Sequence, residues 1–364
     1  MSDKTKNVVV TFTFLLVLVL FFVINLCTKD IEISYAERRK LAQFPKITVK
    51  KLLDGSLGQD FDKYSTDQMI KREDFRKLKA ALELDVFRKK DNHNIYLYQD
   101  SLVKIEYPLN EVSISNATNK INAIQNDYLQ GMKCYYTIVP DKNYFVNREE
   151  YIGMDYEKME AMMTQNLKGM EYIPIFDCVQ LKDYYVTDIH WKQENLQKVV
   201  DRISTKMNFK NRMHTNYTKQ DVIEFDGVYA GQLAVKTAKD KICVSTNEIL
   251  EDATVYNYEN KKETKIYDKE KLSSNDKYDI YLSGPTPLIT ITNPKGEEGK
   301  ELVVFRDSFA SSLVPLFTEA YSKITLVDIR YMRSKDIGNY IEFQDQDILF
   351  IYSTTVLNNS STFK

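Results

Sequence analysis

Glycine (11), proline (8) and histidine (3) are scarce in this chain of 364 residues, which also has one Trp and four Cys. So little Gly and Pro, with 25 Tyr and 18 Phe supplying apolar surface, excludes a low-complexity or disordered chain. The length supports one large domain, alone or with a smaller module. Neither charge is in excess: 50 Lys+Arg stand against 52 Asp+Glu, a formal net charge of -2. Without a basic stripe interleaved with aromatics, nucleic-acid binding is set aside. His93, His190 and His214 show no H-x-x-x-H or H-E-x-x-H spacing, so neither a metal nor a cofactor is expected. Apart from Cys27, the cysteines are Cys134, Cys178 and Cys243, an odd number without C-x-x-C spacing. One disulfide is open in an oxidising exterior, but its connectivity is not legible.

What the sequence does contain is a run free of charge, VVVTFTFLLVLVLFFVINLC, from Val8 to Cys27. That length matches the roughly 20 residues a helix needs to cross a hydrocarbon core. Lys4 and Lys6 precede it, which puts the N-terminus in the cytoplasm and the rest outside. The sequence INLCTKD offers no A-x-A-like cleavage site, and Leu26 is large for a lipidation signal at Cys27; an uncleaved anchor is the reading adopted. The expected organisation is a cytoplasmic tail (1–7), a transmembrane anchor (8–27), a charged juxtamembrane linker (28–48) and an extracytoplasmic domain (49–364).

Within that domain the apolar spacing predicts helices from Val49 to about Lys90, a hairpin over 94–107 and a helix from about Ser115 to Gln130. MKCYYTIVP (132–140) reads as a buried parallel strand, YEKMEAMMTQNL (156–167) as a helix and EYIPIFDCV (171–179) as a strand. DIHWKQENLQKVVDRISTKM starts a further helix, with Asp188 and His190 on the loop entering it. Residues from about 208 to 299 turn β-rich and read as an insertion of subdomain size. Strand and helix then alternate again from ELVVF (301–305) to DILFIY. The pattern is that of an α/β sheet.

Two stretches carry chemistry. In ELVVFRDSFASSLVPLF a short apolar strand runs into Arg306-Asp307-Ser308 and a helix follows. A Ser there is displayed at the carboxyl edge of the sheet, and its own N–H is a free helix-end donor aimed at a developing oxyanion. Asp307 or Ser308 also fits a plain helix N-cap. In YYVTDIHW (184–191) the lone Trp191 follows His190, and Asp188 lies two residues earlier. A weakly nucleophilic Ser needs a base, and the base needs a group that fixes its tautomer; Asp188-x-His190 supplies both from one loop. A His beside a Trp also suits simple packing. His93 and His214 lie in polar stretches and look solvated.

In order along the chain, the apolar segment, AERRKLAQFP, VPDK, YYVTDIHW, FRDSFA and LVDIRYM resemble the DHHW family. Its relatives are the alginate O-acetyltransferases of the SGNH-hydrolase-like superfamily. The resemblance runs from about Tyr35 to Tyr352 and is weakest over the β-rich insertion. It implies a three-layer, flavodoxin-like α/β/α fold with a parallel sheet, and O-acetyl transfer or esterase chemistry on cell-surface polysaccharide. Asp188, His190 and Trp191 match the D-x-H-W motif, and Ser308 the nucleophile of D-S-[FY]. Ile189 replaces the first His of the eponymous motif, and Arg306 stands where GDSL-type enzymes have Gly.

Less central residues are placed as follows. Arg330 and Tyr331 follow the next strand and could hold a sugar hydroxyl, a carboxylate or the oxyanion, unless Arg330 simply pairs with Asp328 on the surface. Lys142 of VPDK follows a strand and is a site-lining candidate. Tyr229, Gly231 and Gln232 are candidates for a backbone donor or a sugar contact. The expected function is O-acetyl transfer to a polysaccharide through Ser308, His190 and Asp188, with Trp191 as packing support. Acetyl-CoA is absent outside the cell, so the resemblance implies a membrane-bound O-acyltransferase partner as acetyl donor. A carbohydrate acetylesterase with the same triad and a non-catalytic glycan-binding protein are the alternatives.

Overall fold

The apolar N-terminal run forms α1 (Asp3–Cys27), capped by the Ser2 hydroxyl, which accepts the Thr5 N–H at 3.3 Å. No side chain of α1 is buried, and the helix is long and apolar enough to cross a membrane, as an anchor or a signal sequence. The computed structural model describes residues 2–364. The chain divides into two units: Met1–His93 with Ala230–Lys236, and Asn94–Tyr229 with Thr237–Lys364.

In the first unit a two-residue ladder, β1 (Ile33–Ser34) with β2 (Arg39–Lys40), precedes α2 (Val49–Leu53), α3 (Ser56–Asp67) and α4 (Arg72–Ala81). Ion pairs hold it together. Asp67 takes both guanidinium nitrogens of Arg39 at 2.8 and 2.6 Å and the Ala42 N–H at 2.8 Å, while Glu37 pairs with Arg72 and with Arg76. These bonds tie the linker residues 37–42 to α3 and α4, so the boundary falls at His93 and not at residue 48.

The second unit opens on the hairpin β3 (Ile95–Tyr98) and β4 (Ser101–Lys104), whose turn residues Gln99 and Asp100 take positive φ of 47° and 63°. α5 (Glu111–Tyr128), β5 (Cys134–Val139), α6 (Tyr156–Asn166) and β6 (Met170–Tyr172) follow. The strand expected over 171–179 stops at Tyr172, and Phe176–Cys178 is one 3₁₀ turn after Pro174. α7 (Gln197–Lys206) starts well after Asp188, leaving residues 184–196 as a hydrogen-bonded loop with one 3₁₀ turn at Gln193–Asn195.

The expected insertion is not a separate subdomain. β7 (Thr218–Phe225) and β8 (Asp240–Thr246) pair only with each other, on either side of α8 (Val228–Leu233). After α9 (Glu248–Asp252), however, β9 (Thr254–Asn257), β10 (Lys262–Thr264) and β11 (Leu288–Thr292) extend the main sheet. β12 (Glu301–Arg306), the short helix α10 (Ala310–Leu313) with its 3₁₀ continuation to Ala320, β13 (Lys323–Val327), β14 (Asp347–Ser353) and α11 (Thr354–Leu357) complete the unit.

The eight strands lie in the order β10-β9-β11-β13-β12-β14-β5-β6. β13, β12, β14, β5 and β6 are parallel, and β11, β9 and β10 are added antiparallel at one side. Alternating side chains of β12 enter different layers: Leu302 and Val304 pack with α7 residues Val199, Val200 and Ile203, while Val303 and Phe305 pack with Ile114, Ile121 and Ile124 of α5. The result is a three-layer α/β/α core, and each such aliphatic side chain contributes roughly 1.5–3 kcal/mol on burial. From β5 the chain moves to one side (β6) and from β12 to the other (β13). Ligands bind at the carboxyl ends of strands where open α/β sheets reverse direction in this way.

Candidate active site

Ser308 stands at that carboxyl edge. β12 ends at Arg306, and the turn that follows is shaped by its own side chains. Asp307 is fully buried; one oxygen accepts the Phe309 N–H at 3.0 Å and the other accepts the Ser353 N–H from the end of β14 at 2.7 Å. Arg306, also fully buried, donates to Ser311 Oγ at 2.6 Å and to Gly284 O and Thr286 Oγ1 at 3.3 Å each. Ser308 remains partly open to solvent, and its N–H has no acceptor among the described residues.

The loop 184–191 reaches the same edge through distant contacts. Asp240 accepts the N–H groups of Val186 (2.8 Å) and Thr187 (2.6 Å) and the Thr187 hydroxyl (2.6 Å). Tyr184 Oη donates to Pro140 O at 2.6 Å. Gly227 lies so close that a Cβ there would sit 2.3 Å from the Thr187 carbonyl and 2.5 Å from Asp188 Cβ, which only glycine allows. Gly227 N donates to Thr187 Oγ1 at 2.8 Å, and Val228 N to Asp188 Oδ2 at 2.9 Å.

The two segments meet in one hydrogen-bonded series. His190 Nε2 is 2.8 Å from Ser308 Oγ, and His190 Nδ1 is 2.7 Å from Asp188 Oδ1. Asp188 is fully buried and His190 nearly so. Each Asp188 oxygen also takes a backbone N–H, Oδ1 from His190 at 3.1 Å and Oδ2 from Val228. A carboxylate so held keeps Nδ1 protonated and leaves Nε2 free to accept from a hydroxyl. Tyr278 stacks on the imidazole with centroids 3.8 Å apart and planes 7° off parallel, and its hydroxyl donates to Ser312 Oγ at 2.8 Å. Burial pushes the Tyr278 phenol above its ordinary range, so it stays neutral. Trp191, fully buried, donates to Phe309 O and Ser312 Oγ at 3.0 Å each, pinning the His loop to the Ser turn.

The other expected residues fall elsewhere. Lys142 does not line the opening: it is buried behind the loop and donates to the carbonyls of Tyr185 (2.8 Å), Val186 (3.0 Å) and Asp188 (3.3 Å). Burial pushes its ammonium down to about 7, against the attraction of Asp188 and Asp240. Tyr229 is buried too; its N–H is taken by Thr187 O at 3.0 Å, and Lys142 Nζ sits 5.5 Å from its ring centroid, so neither a free backbone donor nor a sugar platform remains. Gly231 and Gln232 belong to the first unit, where both carbonyls accept from Arg76 at 2.9 Å. Arg330 forks onto Asp328 at 2.9 and 2.6 Å, the pairing of the alternative reading, but Asp328 is buried and not on the surface. Tyr331 is half exposed beside it, its ring centroid 5.5 Å from the guanidinium carbon. Tyr278, Asp240 and Gly227 were not singled out from the sequence, and no local pattern marks them.

The layers, the strand order and a Ser–His–Asp series at the carboxyl edge define an SGNH-hydrolase-like α/β fold. No protein-family model matches the chain, and no curated protein matches it. Solved structures do. A DHHW family protein from Eubacterium siraeum superposes with a TM-score of 0.58 at 15% identity, covering 75% of this chain and 94% of that one. PatB1 of Bacillus cereus gives 0.56 at 16% identity, covering 73% and 97%, and it has also been solved with a sulfonyl adduct. The O-acetyltransferase domain of Pseudomonas putida AlgJ is more distant, at 0.45 and 11% identity, covering 73% and 92%. The fold is thus the one solved for the DHHW family, in agreement with the motif resemblance.

Proposed function

We propose that the protein is a membrane-anchored O-acetyltransferase whose second unit lies outside the cytoplasmic membrane and acts on a cell-surface or secreted polysaccharide. The observation that supports this most is the series Asp188–His190–Ser308, with the nucleophile as its partly open member. His190 Nε2 takes the Ser308 proton as Oγ attacks an acetyl carbonyl, and Asp188 stabilises the imidazolium. The tetrahedral oxyanion develops beside the unpaired Ser308 N–H. Collapse expels the donor's oxygen, which receives the proton from His190, and leaves acetyl-Ser308. A sugar hydroxyl then gives its proton to His190 and attacks the acetyl group; collapse breaks the bond to Oγ, and His190 returns the proton to Ser308. No cofactor enters these steps. A membrane-bound O-acyltransferase is the donor partner that the extracytoplasmic setting calls for, and α1 would keep the two in one bilayer.

The test follows p-nitrophenyl acetate turnover by the full chain in detergent, for wild type, Ser308→Ala and His190→Ala. Loss of turnover by about 10³-fold or more in both folded variants supports the reading. A phenylmethylsulfonyl fluoride adduct on Ser308 that the His190→Ala variant fails to form supports it further. Equal background rates in all three proteins would remove it in favour of a glycan-binding role. Adding oligosaccharide acceptors then separates transfer from hydrolysis, by whether the acetyl group appears on sugar or as acetate.

A further inference from the structure

Beyond Cys27 the first unit folds back on the end of α1. Ile70 N donates to Asn25 Oδ1 at 2.8 Å, Tyr64 Oη to Asp30 Oδ1 at 3.1 Å and Gln43 Nε2 to Ile31 O at 3.0 Å. Gln68 takes the Ile31 N–H at 2.9 Å and donates to both Ile31 O (2.9 Å) and Ala42 O (2.8 Å). Four separate points of the unit are thus bonded to residues 25–31. If the apolar run ending at Cys27 spans a bilayer, these residues lie at headgroup level. The aromatic cluster of Phe44, Phe61 and Tyr64, with centroids 5.3 to 6.5 Å apart, lies in the same place, where membrane proteins concentrate such rings.

From this point the chain reads FPKITVKKLL, residues 44–53. It holds three lysines (Lys46, Lys50, Lys51) and no acid. Its five large apolar side chains, Phe44, Ile47, Val49, Leu52 and Leu53, are 55% to 83% exposed. So dense an apolar surface on a water-facing segment calls for a covering partner. Lys51 pairs with Asp60 at 2.7 Å, which fixes α2 against α3.

We infer that residues 44–53 form a second membrane contact, lying on the bilayer at the exit of α1 with Leu52 and Leu53 in the acyl boundary and the lysines among anionic lipid headgroups. The inference rests on the reading of α1 as an anchor. A bilayer is the occupant because the residues just before the segment are tied to the end of the candidate span, Gln43 directly to Ile31 and Ala42 through Gln68, and because the segment carries the charge such lipids attract. The contact would hold the first unit against the membrane instead of leaving it on a free tether.

The test uses the full chain carrying Cys27→Ser, with a nitrobenzoxadiazole label on Leu53→Cys or, as reference, Leu18→Cys. Cys134, Cys178 and Cys243 are buried and do not compete for label. The protein is reconstituted into anionic vesicles with brominated acyl chains. The label at 53 is expected to emit blue-shifted, with lipid quenching about half that at 18 and protection from aqueous iodide. Position 53 is highly exposed, so the substitution does not threaten folding. Quenching at 18 with water-like, iodide-accessible emission at 53 overturns the inference and leaves the face to a protein partner. No quenching at either position defeats the anchor reading, and the inference with it.

Discussion

The turn that carries Ser308 takes much of its shape from residues two to five positions away, such as Asp307 on Phe309 N and Arg306 on Ser311. The loop that carries His190 is shaped by partners 40 to 121 positions away: Val228 on Asp188, Lys142 on three carbonyls, Asp240 on Val186 and Thr187, and Ser312 on Trp191. The Ser308 turn thus mixes local bonds with a few distant ones, such as Ser353 on Asp307. The base needs its ring plane, tautomer and distance fixed together, and a loop can supply that only when other parts of the fold clamp it. Substitutions far from Ser308 in sequence should therefore act through His190.

The largest effect tests the orienting carboxylate. Asp188→Asn is expected to lower kcat for ester cleavage by about 10⁴-fold with little change in KM, because an amide can stabilise the wrong tautomer. A loss under tenfold would mean that the Tyr278 stack holds the ring without the carboxylate. Next comes the clamp behind the loop. Lys142→Met removes three donors to its carbonyls, and kcat should fall about 10- to 100-fold with KM nearly unchanged. Unchanged kcat would show the loop to be rigid without that clamp and would erase the contrast with the Ser turn.

The smallest effect concerns Glu106, away from both segments. Burial, with Asp141 nearby, raises its carboxyl from an ordinary 4.5 to about 7. Between those pH values the folded state binds the proton that the unfolded state has lost. Stability from this group is thus present below 4.5 and declines as pH rises through about 7. Glu106→Gln should raise Tm by a few degrees at pH 8 and leave it unchanged at pH 4, as calorimetry would show. Equal shifts at both pH values would mean a packing effect instead.

The central strands were legible because they are buried on both faces and so read as apolar runs: CYYTIV, ELVVF and DILFIY are all in the sheet. EYIPIFDCV is a strand only to Tyr172, because beyond Pro174 its apolar residues pack into the core from a 3₁₀ turn and its flanks. Strands β9 and β11 were read as part of an insertion, since edge pairing is decided by which strand lies alongside and not by local composition. At the site, Asp188 and His190 could be named from scarcity and spacing and Ser308 from its place between a strand and a helix, and the fold brings them within hydrogen-bond reach. Lys142 was noticed for following a strand, but its direction, inward to the loop's carbonyls, is a tertiary fact. Tyr278 and Asp240 are ordinary residues in their own neighbourhoods, and only the packed molecule gives them a role.

The position of β14 bears on when the site comes into existence. This strand is the last of the sheet in chain order, yet it lies between β12, which ends at the Ser308 turn, and β5, whose following residues support the His190 loop. Until Asp347–Ser353 has emerged and inserted, the sheet is two separate slabs, and Asp307 lacks the Ser353 N–H that anchors its turn. The last strand in chain order is thus the piece that joins the half of the sheet carrying the Ser308 turn to the half that supports the His190 loop.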